Sequence, residues 1–245
     1  MKTALAIFCK TPGISPVKTR LASEIGKKQA ETFYSLSISA IKEVATAVKE
    51  KSGMEVVPYW AVAEKQSVNN HLWDSFETVW TGEGGLGDRI FNVFDKLFQK
   101  YNKVIIIGSD SPQISSQYIL DTAKRLTEGA DDGVIGPCED GGFVLFGSKV
   151  PVEKSVWNSV EYSKDSTLLQ LTGKLGKQGF KYSYLPEMSD VDNYNDLKRL
   201  YHLLILNGKY NLPVQNELMG WISNIIWSKN NEISNSMEEN LMLFA

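Results

Sequence analysis

The sequence is poor in the residues that build soft metal centres. Its 245 residues include two cysteines, Cys9 and Cys138, and two histidines, His71 and His202. Two cysteines are too few for a disulfide scaffold, and their separation lacks zinc spacing. A histidine-rich metal site is excluded as well. Any metal must therefore be held by oxygen, which favours Mg²⁺ or Mn²⁺. Long apolar runs are also missing, and none approaches the roughly 20 residues that span a bilayer. Met1-Lys2-Thr3 leads directly into a core-like strand. The expectation is a cytoplasmic protein without a signal peptide or a membrane partner. A net charge of −3 gives no electrostatic case for nucleic-acid binding. What remains is an ordinary globular composition, 42% apolar and 22% charged, on a chain long enough for one large domain with an appendage.

Strand and helix signals alternate through the first two-thirds. Ala4 to Cys9 is a short apolar strand, followed by a loop from Lys10 to Arg20 that two prolines and a glycine punctuate. Phe33, Leu36, Ala40, Val44 and Val48 recur at helical spacing, and a strand is expected within Val56 to Val62. Val79-Trp80 ends a weaker strand before a glycine-rich loop and a helical face on Leu86, Ile90, Val93, Leu97 and Tyr101. Lys103-Val104-Ile105-Ile106-Ile107-Gly108 reads as a strand buried on both faces, the pattern of a parallel sheet. A helix then runs through Ile119, Ala123 and Leu126, with Ser115 or Ser116 as its N-cap. Short strands at 133–136 and 143–146, a helix on Leu168, Leu171 and Leu175, a strand within 180–185 and a helix on Tyr194 to Leu204 complete the series, with Gly208 closing the last helix. Beyond Pro213 lies an amphipathic segment on Leu218, Trp221, Ile222 and Ile225. The class is α/β with a mainly parallel sheet. The division is a domain over 1–208 and a helical appendage over 209–245, the latter a packing helix or a homodimer contact.

Chemistry concentrates where strands end. Asp110, between Ser109 and Ser111, closes the most buried strand, and Pro112 turns the chain outward. Ligands of open parallel sheets sit at the carboxyl ends of strands, so Asp110 suits a hard cation or a ribose, or else caps a turn. Lys10, Lys18 and Arg20 follow the first strand and can form a phosphate cradle, although the P-loop pattern is absent. Gly82-Glu83-Gly84-Gly85-Leu86-Gly87 matches G-x-G-x-x-G, but Phe76-Glu77-Thr78-Val79-Trp80 is too polar for the buried first strand of a dinucleotide-binding unit. Asp190 and Asp192 precede a helix, where one of them is expected to cap it, and both fall on the same side of an extended stretch. Mg²⁺ usually takes one or two protein carboxylates, a need that Asp110 with Asp192 meets if the fold joins them. Glu139-Asp140-Gly141-Gly142 permits close backbone approach to a ligand or makes a tight turn.

Taken in order, Lys10-x-Pro12, Val17-Lys18-Thr19-Arg20-Leu21, Leu86-Gly87-Asp88-Arg89, Gly108-Ser109-Asp110-Ser111-Pro112, Gly136-Pro137-x-x-Asp140-Gly141-Gly142-Phe143 and Asp190-Val191-Asp192 form a set. The set resembles the bacterial radical-SAM/selenodomain-associated transferases, a branch of the GT-A-like nucleotide-diphospho-sugar transferase superfamily. The resemblance spans about residues 3 to 204. It departs at Ser15, where the family usually has glycine and this chain has Gly13 two residues earlier, and at Glu161-Tyr162-Ser163-Lys164, where the family often has tryptophan before a Ser-Thr pair. It implies a three-layer Rossmann-like GT-A fold with a mixed, mainly parallel sheet and a nucleotide bound at its carboxyl edge. It assigns the metal to Asp110 and Asp192 and makes Lys10, Lys18 and Arg20 the catalytic phosphate clamp. Phe8, Lys10, Pro12, Gly87, Asp88, Ser109 and Asp110 fall to the nucleotide, and Asp140, Gly141 and Gly142 to the acceptor. The expected substrates are a nucleoside triphosphate or nucleotide sugar and a small acceptor. Nucleotidyl transfer with pyrophosphate release, glycosyl transfer from a nucleotide sugar, and nucleotide binding without turnover are the alternatives. The solitary acid at 109–111 and the basic loop favour the first, because glycosyl transferases of this kind commonly present an Asp-x-Asp pair there.

Overall fold

A computed structural model describes residues 2–242, with side chains described through 231. Seven strands form one sheet in the order β3-β2-β1-β4-β6-β5-β7. They are β1 (Thr3–Cys9), β2 (Val56–Val62), β3 (Glu77–Trp80), β4 (Lys103–Gly108), β5 (Gly133–Pro137), β6 (Phe143–Ser148) and β7 (Tyr182–Tyr184). Every neighbouring pair is parallel except β4 with β6 and β6 with β5. Because β6 alone is reversed, its beginning lies at the same edge as the carboxyl ends of the others. The turn Asp140-Gly141-Gly142 is thereby carried to the edge that holds Lys10 and Asp110.

Alternation along the central strands builds two cores. Leu5, Ile7, Ile105 and Ile107 face α2 (Lys27–Lys51) and α4 (Ser116–Glu128), meeting Ile38, Ile41, Ile119 and Leu126. Ala4, Ala6, Val104 and Ile106 face the other way, and their small size admits an aromatic layer. Phe94 of α3 (Leu86–Phe98) and Trp157 of α5 (Lys154–Asn158) stack there, joined by Phe146. α6 (Thr167–Lys177) extends this side through Leu171 and Leu175. The molecule is a three-layer α/β/α sandwich, as the sequence reading expected.

A third cluster joins α1 (Thr19–Ile25), α2, α7 (Tyr194–Asn207) and α8 (Pro213–Met242) through Leu21, Phe33, Leu197, Leu218 and Ile222. α8 also reaches the site-bearing edge, because Gln215 Nε2 donates to Pro112 O at 2.8 Å. Two local readings change. Thr19 and Arg20 belong to α1 rather than to the preceding loop. The cap of α7 is Asn193, whose side chain accepts from Asn195 and Asp196 N–H while Asp196 answers to the Asn193 N–H. Neither Asp190 nor Asp192 occupies that position, so both carboxylates remain outside the capping box.

Candidate active site

A cavity of about 870 Å³ opens at the carboxyl edge of β1, β2 and β4. Its size suits a nucleotide-scale ligand, for which clefts of about 300–1,000 Å³ are usual. Phe8, Lys10, Lys18, Arg20, Ser109, Asp110, Asp140, Gly142 and Asp192 all line it. Pro12, Gly87, Asp88 and Gly141 lie outside the lining.

The two halves of the acidic site are tied together through the backbone. Val191 N–H donates to Asp110 O at 3.3 Å, and Ser111 Oγ donates to Ser189 O at 3.2 Å. This stitching brings the aspartates beyond β4 and before α7 into one place, 82 residues apart in sequence. Lys18 Nζ then lies 2.7 Å from Asp110 Oδ1 and 3.6 Å from Asp192 Oδ1. Arg20 Nη1 holds the other oxygen of Asp192 at 2.9 Å. The Lys18 side chain is only 4% exposed. Its backbone adopts a left-handed conformation, φ 47°, at the start of α1. A non-glycine residue there carries a strain of order 1–3 kcal/mol that the surrounding contacts must hold. Lys18 and Ser163 both show positive φ, and both line the cavity.

Asp190 adds a third carboxylate. Burial first, then Asp192 and Asp140, push its pKa up to about 6, against the opposing pull of Lys18. Cys138, Asp140 and Asp190 each offer one ligand atom within 4.8 Å of one another. Burial also pushes the Cys138 thiol well up, so the protonated sulfur is a poor partner for a hard cation. Asp110 and Asp192 are a second pair of oxygen donors, since Lys18 Nζ lies within 3.6 Å of an oxygen of each. Oxygen donors around a single cationic centre are what Mg²⁺ or Mn²⁺ requires.

The base of the N-terminal loop is fixed from below. Tyr34 OH accepts from Lys10 N–H at 2.8 Å and lies 3.2 Å from Ser109 Oγ, joining the ends of β1 and β4. Lys10 Nζ reaches Pro16 O at 3.5 Å and carries no carboxylate partner among the described residues. Thr11 donates both its N–H and its hydroxyl to Glu64 Oε2, each at 2.9 Å. Although burial pulls upward, Ser15 and Thr11 together hold the Glu64 carboxyl below its usual range.

The Leu86-Gly87-Asp88-Arg89 motif divides between two tasks. Asp88 turns to α5, accepting from Asn158 Nδ2 at 2.9 Å and pairing with Lys154 at 3.0 Å. Those partners hold its carboxyl below the ordinary value. A Cβ on Gly87 would stand 2.4 Å from Trp157 O, so only glycine lets α3 approach α5. Arg89 faces the cavity and pins two strand ends, donating to Ala63 O and Thr81 Oγ1. The glycine-rich loop starts α3 after β3, a four-residue strand at the sheet edge. A dinucleotide unit begins instead from a central strand.

Sequence reading missed Tyr34, Glu64, Arg89 and Lys164 as lining residues. Glu64 had a usable signal, a carboxylate two places beyond a buried strand. Arg89 stood inside a recognised motif. Tyr34 stands next to Phe33 on α2, outside the apolar positions read from the sequence, and nothing local announces its hydroxyl.

None of the curated proteins compared matches the chain. Among solved structures, a putative nucleotide-diphospho-sugar transferase from Desulfovibrio desulfuricans G20 is similar, with a TM-score of 0.78 at 20% identity, covering 92% of this chain and 99% of that one. A CMP:2-keto-3-deoxy-manno-octonic acid synthetase complexed with CTP gives 0.51 at 13% identity, over 84% of this chain and 100% of the other. A cytidylyltransferase from Leptospira borgpetersenii gives 0.50 at 12% identity, over 95% and 96%. These likenesses show the fold: the chain shares the α/β architecture of these structures. Within the sequence, residues 43–164 match the DUF2064 family, described as an uncharacterized protein conserved in bacteria.

Proposed function

We propose that the chain is a metal-dependent nucleotidyltransferase. A nucleoside triphosphate is the donor, and a small phosphorylated or hydroxyl compound is the acceptor. The observation that carries the reading is the meeting of Lys18 with Asp110 and Asp192 beneath the N-terminal cations. In the reaction an acceptor oxygen attacks the α-phosphorus, the new O–P bond forms, and the bond to the β-phosphate oxygen breaks. Pyrophosphate departs with the electron pair. Such chemistry needs in-line positioning and charge neutralisation more than a protein nucleophile.

Lys10 and Lys18 are the groups that bind and orient the phosphates, with Arg20 at the rim. Asp110 and Asp192 would hold a divalent cation, which would supply charge neutralisation at the phosphates. Asp140 and Gly142 border the acceptor side. Motif resemblance to the radical-SAM/selenodomain-associated transferases supports the same assignment.

Glycosyl transfer from a nucleotide sugar is the second reading. The description of the Desulfovibrio structure as a nucleotide-diphospho-sugar transferase favours it. Incubating the protein with Mg²⁺ and each nucleoside triphosphate or nucleotide sugar, over a panel of small acceptors, separates the two. Pyrophosphate release supports nucleotidyl transfer, and nucleoside diphosphate release supports glycosyl transfer. Tight binding with neither product makes the chain a non-catalytic nucleotide binder and ends both readings.

A further inference from the structure

The segment Glu161-Tyr162-Ser163-Lys164 departs from the resembling family, and it carries the cavity cation that the assignment above leaves unused. Five cationic side chains line the cavity. Lys18 and Arg20 are paired with aspartates. Arg89 is spent on Ala63 O, Thr81 Oγ1 and Gly84 O. Lys10 lies at the end of β1, where the phosphates are assigned. Among the described residues, the Lys164 ammonium has no hydrogen-bond or ion-pair partner.

The backbone beneath that ammonium is nevertheless held firmly. The buried Thr167 hydroxyl bonds the backbone of Glu161 and of Lys164, and accepts from Lys164 N–H at 3.2 Å. Ser163 stands in the left-handed region at φ 59°. The segment docks on the acceptor-side turn, where Leu168 N–H donates to Gly141 O at 2.8 Å. Gly141 has φ +85°, and a Cβ there would lie 2.0 Å from Asp165 O. The glycine of the Asp-Gly-Gly motif therefore exists, in part, to let this segment close on the turn.

Position along the sheet edge separates Lys164 from Lys10. The Asp140-Gly141-Gly142 turn leads into β6, which is separated from β1 by β4. At about 4.8 Å per strand, two steps span roughly 10 Å. Asp110 lies between, at the end of β4. The cavity thus has a cation without a carboxylate partner on either side of the acidic centre, Lys10 at the end of β1 and Lys164 beside the turn before β6.

We infer that Lys164 is a second anion site, binding a phosphate or carboxylate of the acceptor, so that the acceptor is an anionic rather than a neutral compound. The inference rests on the transferase reading only in calling this ligand the acceptor. An anionic group here needs a dedicated cation, because Asp110, Asp140 and Asp190 otherwise make this side of the cavity repulsive to it.

Calorimetric titration of the intact protein with glycerol 3-phosphate and with glycerol, in the presence of Mg²⁺, tests this. Glycerol 3-phosphate should bind and glycerol should not. Lys164→Gln should weaken glycerol 3-phosphate about tenfold, the loss expected for one charge-assisted contact. Lys164→Arg should restore most of that loss. Nucleoside triphosphate affinity should stay within about twofold in Lys164→Gln, whereas Lys10→Gln should lower it. Unchanged glycerol 3-phosphate binding in Lys164→Gln overturns the inference. So does an equal loss of nucleotide and glycerol 3-phosphate, which would put both at one site. If no nucleotide binds the wild-type protein while Lys164-dependent phosphate binding persists, the proposed function fails and the anion site stands.

Discussion

Lys18 occupies the position around which the site's electrostatics turn. Its ammonium shares two carboxylates that a divalent cation would also need, so the two cations compete. Removing Lys18 should therefore tighten metal binding in the absence of nucleotide and weaken nucleotide binding. Lys18→Ala, titrated with Mn²⁺ and followed by paramagnetic resonance, should show higher affinity than the wild type. Lower affinity would mean that Lys18 holds the aspartates in place instead of opposing the metal. Asp190 gives a pH dependence of defined sign. Its pKa is raised to about 6, so it is protonated below that pH and adds a negative charge above it. Mn²⁺ affinity should rise as pH increases through 6, and Asp190→Asn should flatten that rise. The same shift works against the fold of the metal-free protein. A carboxyl whose folded pKa exceeds its unfolded value favours folding fully only below the unfolded value. Part of that contribution is lost as pH rises to about 6.

At the scale of elements, the site depends on how the reversed strand β6 and the segment after β4 are fastened. Gly141→Ala faces both a positive φ and a backbone oxygen 2.0 Å from the new Cβ. The cost should be about 2–4 kcal/mol, combining backbone strain with overpacking. Denaturant unfolding should show the loss, and limited proteolysis should place new cleavage near 161–166. These features also mark where the sequence was legible. Ile105, Ile106 and Ile107 announced a doubly buried strand because both faces of a parallel strand are covered. The ends of strands followed, and with them Lys10 and Asp110. Asp192 was placed beside Asp110 only conditionally, because the bonds from Val191 to Asp110 and from Ser111 to Ser189 leave no sequence period. The cap of α7 was misread for a related reason. Three candidate capping residues stand within four positions, and only the backbone at Asn193 decides among them. Asp88 illustrates the opposite limit, since a motif gives composition and order but not the direction in which each side chain points.

For the whole molecule, α8 joins the rear core to the edge that bears the site. Leu218 and Ile222 are fully buried against α1, α2 and α7. Leu218→Ala should destabilise by about 2–5 kcal/mol, as buried leucine truncations do. Gln215 is a different kind of link, since its amide braces Pro112 and Ile114 just beyond Asp110. Gln215→Ala leaves buried carbonyls unsatisfied at about 1–3 kcal/mol. Its melting temperature should fall, and nucleotide binding should weaken beyond what the loss of folded protein explains. The proposed chemistry centres on a single cation shared by Asp110 and Asp192 next to bound phosphates. The direct measurement is Mn²⁺ titration, with nucleoside triphosphate present, of the wild type, Asp110→Asn, Asp192→Asn and Asp140→Asn. Loss of at least about tenfold in the first two variants, with little change in Asp140→Asn, is the predicted result. Wild-type affinity in Asp110→Asn and Asp192→Asn, with loss confined to Asp140→Asn, would contradict it and move the metal to the group formed by Cys138, Asp140 and Asp190.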